Sequence, residues 1–302
     1  MNGKFLLYIL IALPLIFSCK SSNDRKADDE FQVPDSVANK GALEVSDEAM
    51  ENITENISSH IETAALIKNL NARFSRDYLA PTDDVDRYNT NFEQALILGI
   101  YGADMGYLNM YNKTTVALDY LSSIRKMANS IKVGQFFDFT TLHRLAKNNE
   151  ELDSLMYITQ RNFNQMDQYL RENNRSNLST LMVAGGWIEG LFLSAQVYQS
   201  KPDPELREAI GEQKIILGDL MILMRNFESD PDFKRLIEDF NDIHELYQDV
   251  TITIEQGEPT RKVVDGRLVI EQNTRSMVNV SDELLEKIIK ESVEIRNKII
   301  NQ

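Results

Sequence analysis

The sequence has a single cysteine, Cys19, among its 302 residues. A disulfide within the chain is therefore impossible, and the folded part has to be stabilised by burial of apolar side chains. The three histidines, His60, His143 and His244, stand far apart and lack the spacing of a metal-binding motif. The glycine-rich phosphate-binding loops and the nucleophile elbow of hydrolases are missing as well. We therefore predict no metal site, no cofactor and no catalytic residue.

Positive charge is also scarce. The chain has 32 Lys and Arg residues against 47 Asp and Glu residues, which gives a formal net charge of −15. An acidic surface repels phosphate backbones and anionic lipid headgroups. We therefore predict that nucleic acid is not a partner.

The apolar run at the N-terminus, residues 5–17, is shorter than the roughly 20 residues that a membrane-spanning helix needs. It leads into Ile16-Phe17-Ser18-Cys19, which resembles the lipobox of bacterial lipoproteins, with an aliphatic residue three before the cysteine and a small residue just before it. The resemblance implies cleavage before Cys19, acylation of Cys19 and anchoring to a lipid bilayer. Lys20 follows the cysteine where an aspartate would retain the protein, and this implies the outer membrane, on its periplasmic or its surface face. The alternative is an ordinary secretory signal with an incidental cysteine.

Composition divides the rest of the chain. Residues 19–45 are polar and charged, with few large apolar side chains, and they predict a flexible tether. The predicted organisation is a lipoprotein signal peptide over 1–18, the tether over 19–45 and a single helical domain over 46–302.

From residue 46 onward, apolar side chains recur with the period of an α-helix. Asp203-Pro204 and Asp230-Pro231 each place a capping acid before a proline at the first helical position. The predicted helices cover residues 46–79, 85–111, 114–132, 137–148, 150–173, 177–200, 204–228, 231–249 and 281–300. Short connections predict that sequence neighbours pack antiparallel. The predicted fold class is all-α, an antiparallel multi-helix bundle.

Residues 250–272 interrupt the helical period. Polar and β-branched residues alternate over 250–255, and residues 261–264 and 267–271 read as two strands across a type I′ turn at Asp265-Gly266. We therefore predict a small β-hairpin inserted before the C-terminal helix. A ribbon of this size is marginally stable alone, so we expect it to lie on the bundle or on a partner.

Two predicted helices are far more apolar than the others, and each has one acid in its apolar run, Asp104 in the first and Glu189 in the second. We expect them to be the central helices. Each also has a stripe of small residues: Gly99, Gly102, Ala103 and Gly106 in the first, and Gly186, Gly190 and Ser194 in the second. A glycine inside a helix costs about 1 kcal/mol relative to alanine, so the stripes need a structural reason. The reason is close approach of another helix, or a groove in which a ligand lies against bare backbone.

The two acids need partners, because a buried carboxylate is costly when it is unpaired. Three phenols lie within helical reach of Asp104 and are its expected donors: Tyr101, Tyr107 and Tyr111. Glu189 has few polar neighbours on its own helix, so we expect an arginine from elsewhere, with three candidates: Arg125, Arg144 and Arg225. A structural ion pair is the favoured interpretation, and acid–base chemistry or cation binding by the two carboxylates is the alternative.

The segments LGIYGADMGYLNMY and GGWIEGLFLSAQ are similar to segments of helical lipoproteins of unassigned function from Bacteroidota, and this resemblance implies no activity. The first hypothesis is therefore a non-enzymatic, membrane-anchored module that binds or scaffolds an envelope protein.

The second hypothesis is a lipoprotein that binds a small ligand in a groove between the glycine-striped helices. Its predicted ligand-binding residues are Asp104, Glu189, Tyr101, Tyr107 and Trp187. The third is an envelope hydrolase, which requires the two carboxylates to converge on one cleft within about 10 Å of each other.

Overall fold

The computed structural model describes residues 67–83, 85–147, 152–256, 260–264, 267–271 and 274–302. All of these belong to one unit of the chain, Glu44–Gln302. The predictions for the signal peptide, Cys19, the tether, residues 46–66 and the turn at Asp265-Gly266 fall outside the described residues.

Eight α-helices begin and end within the described residues. They are α1 (Asn91–Met110), α2 (Thr114–Ser130), α3 (Phe139–Lys147), α4 (Leu152–Glu172), α5 (Ser176–Ser200), α6 (Pro204–Arg225), α7 (Pro231–Gln248) and α8 (Asp282–Ile300). Three short 3-10 helices cover Arg76–Tyr78, Val85–Arg87 and Gly134–Phe136. The strands are β1 (Thr251–Gln256), β2 (Thr260–Val264), β3 (Arg267–Glu271) and β4 (Thr274–Asn279). The predicted all-α bundle with a β-hairpin before its last helix is confirmed.

Capping residues set the helix starts. Asp203 and Asp230 accept main-chain hydrogen bonds ahead of Pro204 and Pro231, as predicted. α1 begins later than predicted, because Thr90 and the side chain of Glu93 form a reciprocal capping box. The Thr90 hydroxyl accepts from the amide of Glu93 at 3.1 Å, and Glu93 accepts from the amide of Thr90 at 2.9 Å.

The helix predicted over 46–79 ends earlier than expected, since within the described residues it is helical only to Asn69. Asn71 adopts a φ of 51°, the left-handed conformation that ends many helices. Ser75 then caps the 3-10 helix Arg76–Tyr78 with its side chain. Residues 70–81 therefore form an entry loop, whose main-chain groups meet the central helices.

The hairpin is longer than predicted. β2 pairs antiparallel with β3, and β1 pairs antiparallel with β4, from Thr251 opposite Asn279 to Gln256 opposite Thr274. β4 was not predicted, because its sequence does not alternate polar and apolar residues over its full length. A side chain at Gly211 of α6 would overlap Val278, so the base of the hairpin lies on the bundle.

The two apolar helices are central, as predicted. Most of the residues of α1 and α5 are buried, including Leu96, Ile100, Ile188 and Ala195, which have no exposed surface. Among the described helices, α5 is the one long and apolar enough to cross a membrane. However, 83% of its apolar window is buried inside the protein, where the central helix of a bundle lies.

Glycines set the close contact between α1 and α5. A side chain at Gly99 would overlap the main-chain oxygen of Met182, and one at Gly185 would overlap that of Leu96. Leu96 of α1 contacts Gly185 of α5, and further along both helices Asp104 lies beside Glu189. The contacts therefore advance in the same direction along α1 and α5, which are parallel.

Candidate functional site

A cavity of about 520 Å³, partly open to solvent, lies between α1, α4, α5 and α6. The glycine stripes of both central helices form part of its wall, together with aromatic side chains. Among the wall residues are Gly102, Gly106, Gly186, Gly190, Phe163 and Trp187. The cavity therefore lies along bare backbone of the two glycine-striped helices, but it does not include Asp104 and Glu189, beside which the groove was expected.

The glycines divide into two groups. Gly99 and Gly185 allow α1 and α5 to touch, and Gly102 is covered by the ring of Phe163. In contrast, a β-carbon added at Gly106 or Gly190 would meet no atom within 4 Å. Close helix packing explains the first group, and only open cavity space borders the second.

Two buried polar side chains in the wall have oxygens without a hydrogen-bond partner. Asn109 is 4% exposed and Thr159 is 6% exposed, and neither Asn109 Oδ1 nor Thr159 Oγ1 makes a hydrogen bond. Such groups are rare in folded proteins, and these two oxygens are free to bond to a molecule in the cavity. Sequence reasoning missed both, although Asn109 stands out as an amide in an apolar run.

Trp187 and Tyr107 lie in the cavity wall, unlike the other three residues predicted for the ligand site. Trp187 is 4% exposed, and its indole Nε1 donates to Gln213 Oε1 at 3.1 Å. The hydroxyl of Tyr107 accepts from the amide of Ser75 at 3.2 Å, which links the wall to the entry loop.

Asp104, Glu189 and Tyr101 lie outside the cavity wall, in a separate buried cluster. Glu189 pairs with Arg296 of α8 through two hydrogen bonds, Nε to Oε2 at 2.9 Å and Nη2 to Oε1 at 3.0 Å. Arg296 Nη2 also donates to the oxygen of Tyr78 at 3.1 Å. The ion pair therefore joins a central helix, the C-terminal helix and the entry loop.

The arginines predicted to pair with Glu189 are wrong. Arg125 lies over the ring of Phe139, Arg225 donates to Asn241, and Arg144 is likewise not the partner. Arg296 was missed because its helix packs against α5 from the far end of the chain.

The predicted phenol donors to Asp104 are also wrong. Asp104 Oδ2 accepts from the amide of Ala80 at 3.0 Å, while the hydroxyl of Tyr101 donates to the oxygen of Pro81 at 2.9 Å. The entry loop supplies these main-chain groups, so Asp104 and Tyr101 bind the loop instead of each other. The hydroxyl of Tyr120 holds the same loop by donating to the oxygen of Ala80.

The buried carboxyls of Asp104 and Glu189 lie next to each other, and the pKa of each is raised. Burial raises the pKa of Asp104 well above its usual range, and the negative charge of Glu189 raises it further. Burial also raises the pKa of Glu189, but Arg296 opposes that shift. Asp104 Oδ1 accepts no hydrogen bond, and a proton on it satisfies the contact with the Glu189 carboxylate. The cluster therefore contains a neutral Asp104, an ionised Glu189 and a cationic Arg296.

This arrangement suits structure better than catalysis. The carboxylates do converge, but both are fully buried, and within the described residues neither borders the cavity as the hydrolase hypothesis requires. Within the described ranges, no three His, Cys, Asp or Glu side chains are grouped as a metal ion would need.

Comparisons of the chain with protein-family models, with curated proteins and with solved structures give no match. The functional proposal therefore depends on the geometry of the cavity and its wall.

Proposed function

We propose that this protein binds a mostly apolar small molecule in the cavity, without converting it, while acylated Cys19 tethers it to the outer membrane. The observation that supports this most directly is the bare backbone of Gly106 and Gly190, which borders about 520 Å³ of space. Ligand sites in proteins have volumes of roughly 300–1,000 Å³, mostly apolar walls and a few polar groups.

Helix energetics support the same proposal. Each interior glycine costs about 1 kcal/mol relative to alanine. At Gly106 and Gly190 no neighbouring atom would be displaced by a side chain, so packing does not explain the glycines. Space for a bound molecule explains both glycines.

Energy transfer from Trp187 provides the test, because it is the chain's only tryptophan and lies in the cavity wall. The full-length protein in lipid vesicles is titrated with N-phenyl-1-naphthylamine, an uncharged apolar dye that accepts tryptophan emission. We expect saturable energy transfer that Gly106→Leu and Gly190→Leu abolish by filling the cavity.

Gly218→Leu is the matched control. Gly218 is also a helical glycine with no atom within 4 Å of an added β-carbon, but it lies outside the cavity wall. It should leave the energy transfer unchanged. Equal transfer in wild type and both cavity-filling variants would mean that the dye does not occupy this cavity.

Binding of an envelope protein is a second proposal, supported by a face of α6. Ile215 is 59% exposed and Ile222 is 45% exposed, and seven residues place them on one side of the helix. Loss of a cross-linked envelope partner in Ile215→Ser and Ile222→Ser, with retention in Tyr157→Ser, which changes an exposed side chain of α4 instead, would support it. An unchanged cross-linking pattern would count against it.

A further inference from the structure

The shape of the cavity restricts its ligand. Its wall follows α1 from Gly99 to Met110 and α5 from Met182 to Ser194, which is roughly 16–18 Å at the α-helical rise. A wall this long, apolar over most of its surface, matches an extended hydrocarbon chain better than a compact, rigid molecule.

The polar groups of the wall gather at one end. α4 is antiparallel to α1, and Phe163 of α4 covers Gly102 of α1. Thr159 comes before Phe163 in α4, so it lies closer to the Asn109 end of the cavity. Because α1 and α5 are parallel, this is also the end where α5 finishes. At that end the side chain of Lys201 donates to the main-chain oxygen of Leu70. Lys68 is two residues before Leu70, so it lies at the same end of the cavity.

The charges in the wall differ at the two ends. Asp167, at the Gly99 end, accepts from Ser179 and forms an ion pair with Arg171. Lys68 is exposed and forms no salt bridge with any residue in the described ranges. An anion at the Lys68 end would therefore meet a cation and the unpartnered hydroxyl of Thr159, which can donate to it, while Asn109 Oδ1 can accept from a bridging water.

We infer that the ligand is a single acyl chain with an anionic head, its chain against Gly106 and Gly190 and its head beside Lys68. This inference rests on the proposed function and names its ligand class. The length of the wall suits a chain of roughly a dozen carbons. The same chemistry is found in a free fatty acid and in a lysophospholipid, and the experiment separates them.

Bromine on the chain gives a direct contact readout, since it quenches tryptophan emission at short range. The full-length protein in vesicles is titrated with 11-bromododecanoate, with vesicles of brominated phospholipid as the control for quenching from the bilayer. We expect saturable quenching of Trp187 by the fatty acid, little quenching by the brominated bilayer, and loss of the fatty-acid effect in Gly190→Leu but not in Gly218→Leu.

Competition against the bound dye tests the ligand class. Dodecanoate should displace N-phenyl-1-naphthylamine at concentrations at least tenfold lower than cholate, whose rigid steroid skeleton cannot extend along the wall as a flexible chain can. Lys68→Met should weaken displacement by dodecanoate roughly two- to fivefold, as expected for one partly solvated ion pair, and leave displacement by dodecanol unchanged. If lauroyl-lysophosphatidylglycerol displaces the dye as well as dodecanoate does, the ligand class includes lysophospholipids. If dodecanoate alone displaces the dye, the ligand is a free fatty acid.

The outcomes separate the two proposals. Dye that binds the cavity but yields to cholate and not to dodecanoate would leave the proposed function standing and overturn the acyl-chain inference. Equal effects of Lys68→Met on dodecanoate and dodecanol would overturn the anionic head. Absence of both dye binding and quenching would overturn the acyl-chain inference and the proposed function together.

Discussion

At the residue scale, the Glu189–Arg296 pair is a buried ion pair with little solvent to compensate the loss of either partner. The carboxylate is fully buried and makes both of its arginine hydrogen bonds within the core. Removal of one charge from such a pair leaves the other unpaired in a low-dielectric environment.

We therefore expect Glu189→Gln to lower the free energy of unfolding by about 3–5 kcal/mol at pH 7, measured by urea denaturation. The control is Glu189→Gln combined with Arg296→Met, which removes both charges and should recover much of the loss. A single variant as stable as wild type would mean that the pair does not stabilise the fold.

Removal of the ionisable group of Asp104 should raise the stability instead of lowering it, because this carboxyl is neutral in the folded protein. Its raised pKa means that the folded protein keeps a proton that the unfolded chain loses above a pH of about 3.9. Stability therefore falls by about 1.4 kcal/mol per pH unit above that value, until the pKa of the folded state is passed.

Asparagine reproduces the neutral acid, since its oxygen can accept from Ala80 and its amide can donate to Glu189. We expect Asp104→Asn to match the stability of wild type near pH 4 and to exceed it increasingly toward pH 7. The measurement is urea denaturation across that pH range. The ionisable groups around Asp104 are unchanged in the comparison, namely Glu189, Arg296, Tyr101 and Tyr120. Parallel pH profiles for the two proteins would contradict a protonated Asp104.

At the element scale, α1 and α5 are in contact at one pair of glycines and separated by the cavity at another. The two pairs predict opposite responses to the same small substitution. Gly99→Ala and Gly185→Ala place a methyl group on main-chain oxygen, which side-chain motion cannot relieve. Gly106→Ala and Gly190→Ala add a methyl group to open space.

We expect each contact variant to lose about 1–3 kcal/mol of unfolding free energy or more. Each cavity variant should gain about 0.5–1 kcal/mol from improved helix propensity. Gly218→Ala, on an open face away from the cavity, provides the reference for propensity alone. The measurement is the unfolding free energy of the five variants from thermal unfolding. Equal losses of stability at all four glycines of α1 and α5 would show that the open space closes in solution.

The eight α-helices within the described residues and the central place of α1 and α5 could be predicted from sequence because they depend on local periodicity and total apolarity. Element ends were less predictable. The capping box at Thr90 and the left-handed Asn71 depend on side-chain geometry that several nearby residues could equally supply. β4 depends on pairing with β1, which brings together segments without a strong pattern of their own.

At the scale of the whole molecule, the site was predictable in position but not in orientation. The glycine stripes located the groove, and Trp187 and Tyr107 do border it. The acids were expected there too, but Asp104 and Glu189 face the entry loop and α8 on another side of the helix pair. Partners that lie 107 residues apart, as Glu189 and Arg296 do, leave no local signal.

The proposed tether and the proposed ligand site can be tested separately, because Cys19 lies far along the chain from every wall residue of the cavity. If Cys19 is acylated, Cys19→Ser should abolish incorporation of an alkyne-tagged fatty acid and release the protein from washed membranes. As Cys19 is the only cysteine, no second thiol can take over its lipid. Ser18→Ala keeps a small residue before the cysteine and should retain both the label and the membrane association. Labelled, membrane-bound Cys19→Ser protein would contradict the lipobox assignment, whereas Trp187 energy transfer should be the same in all three proteins.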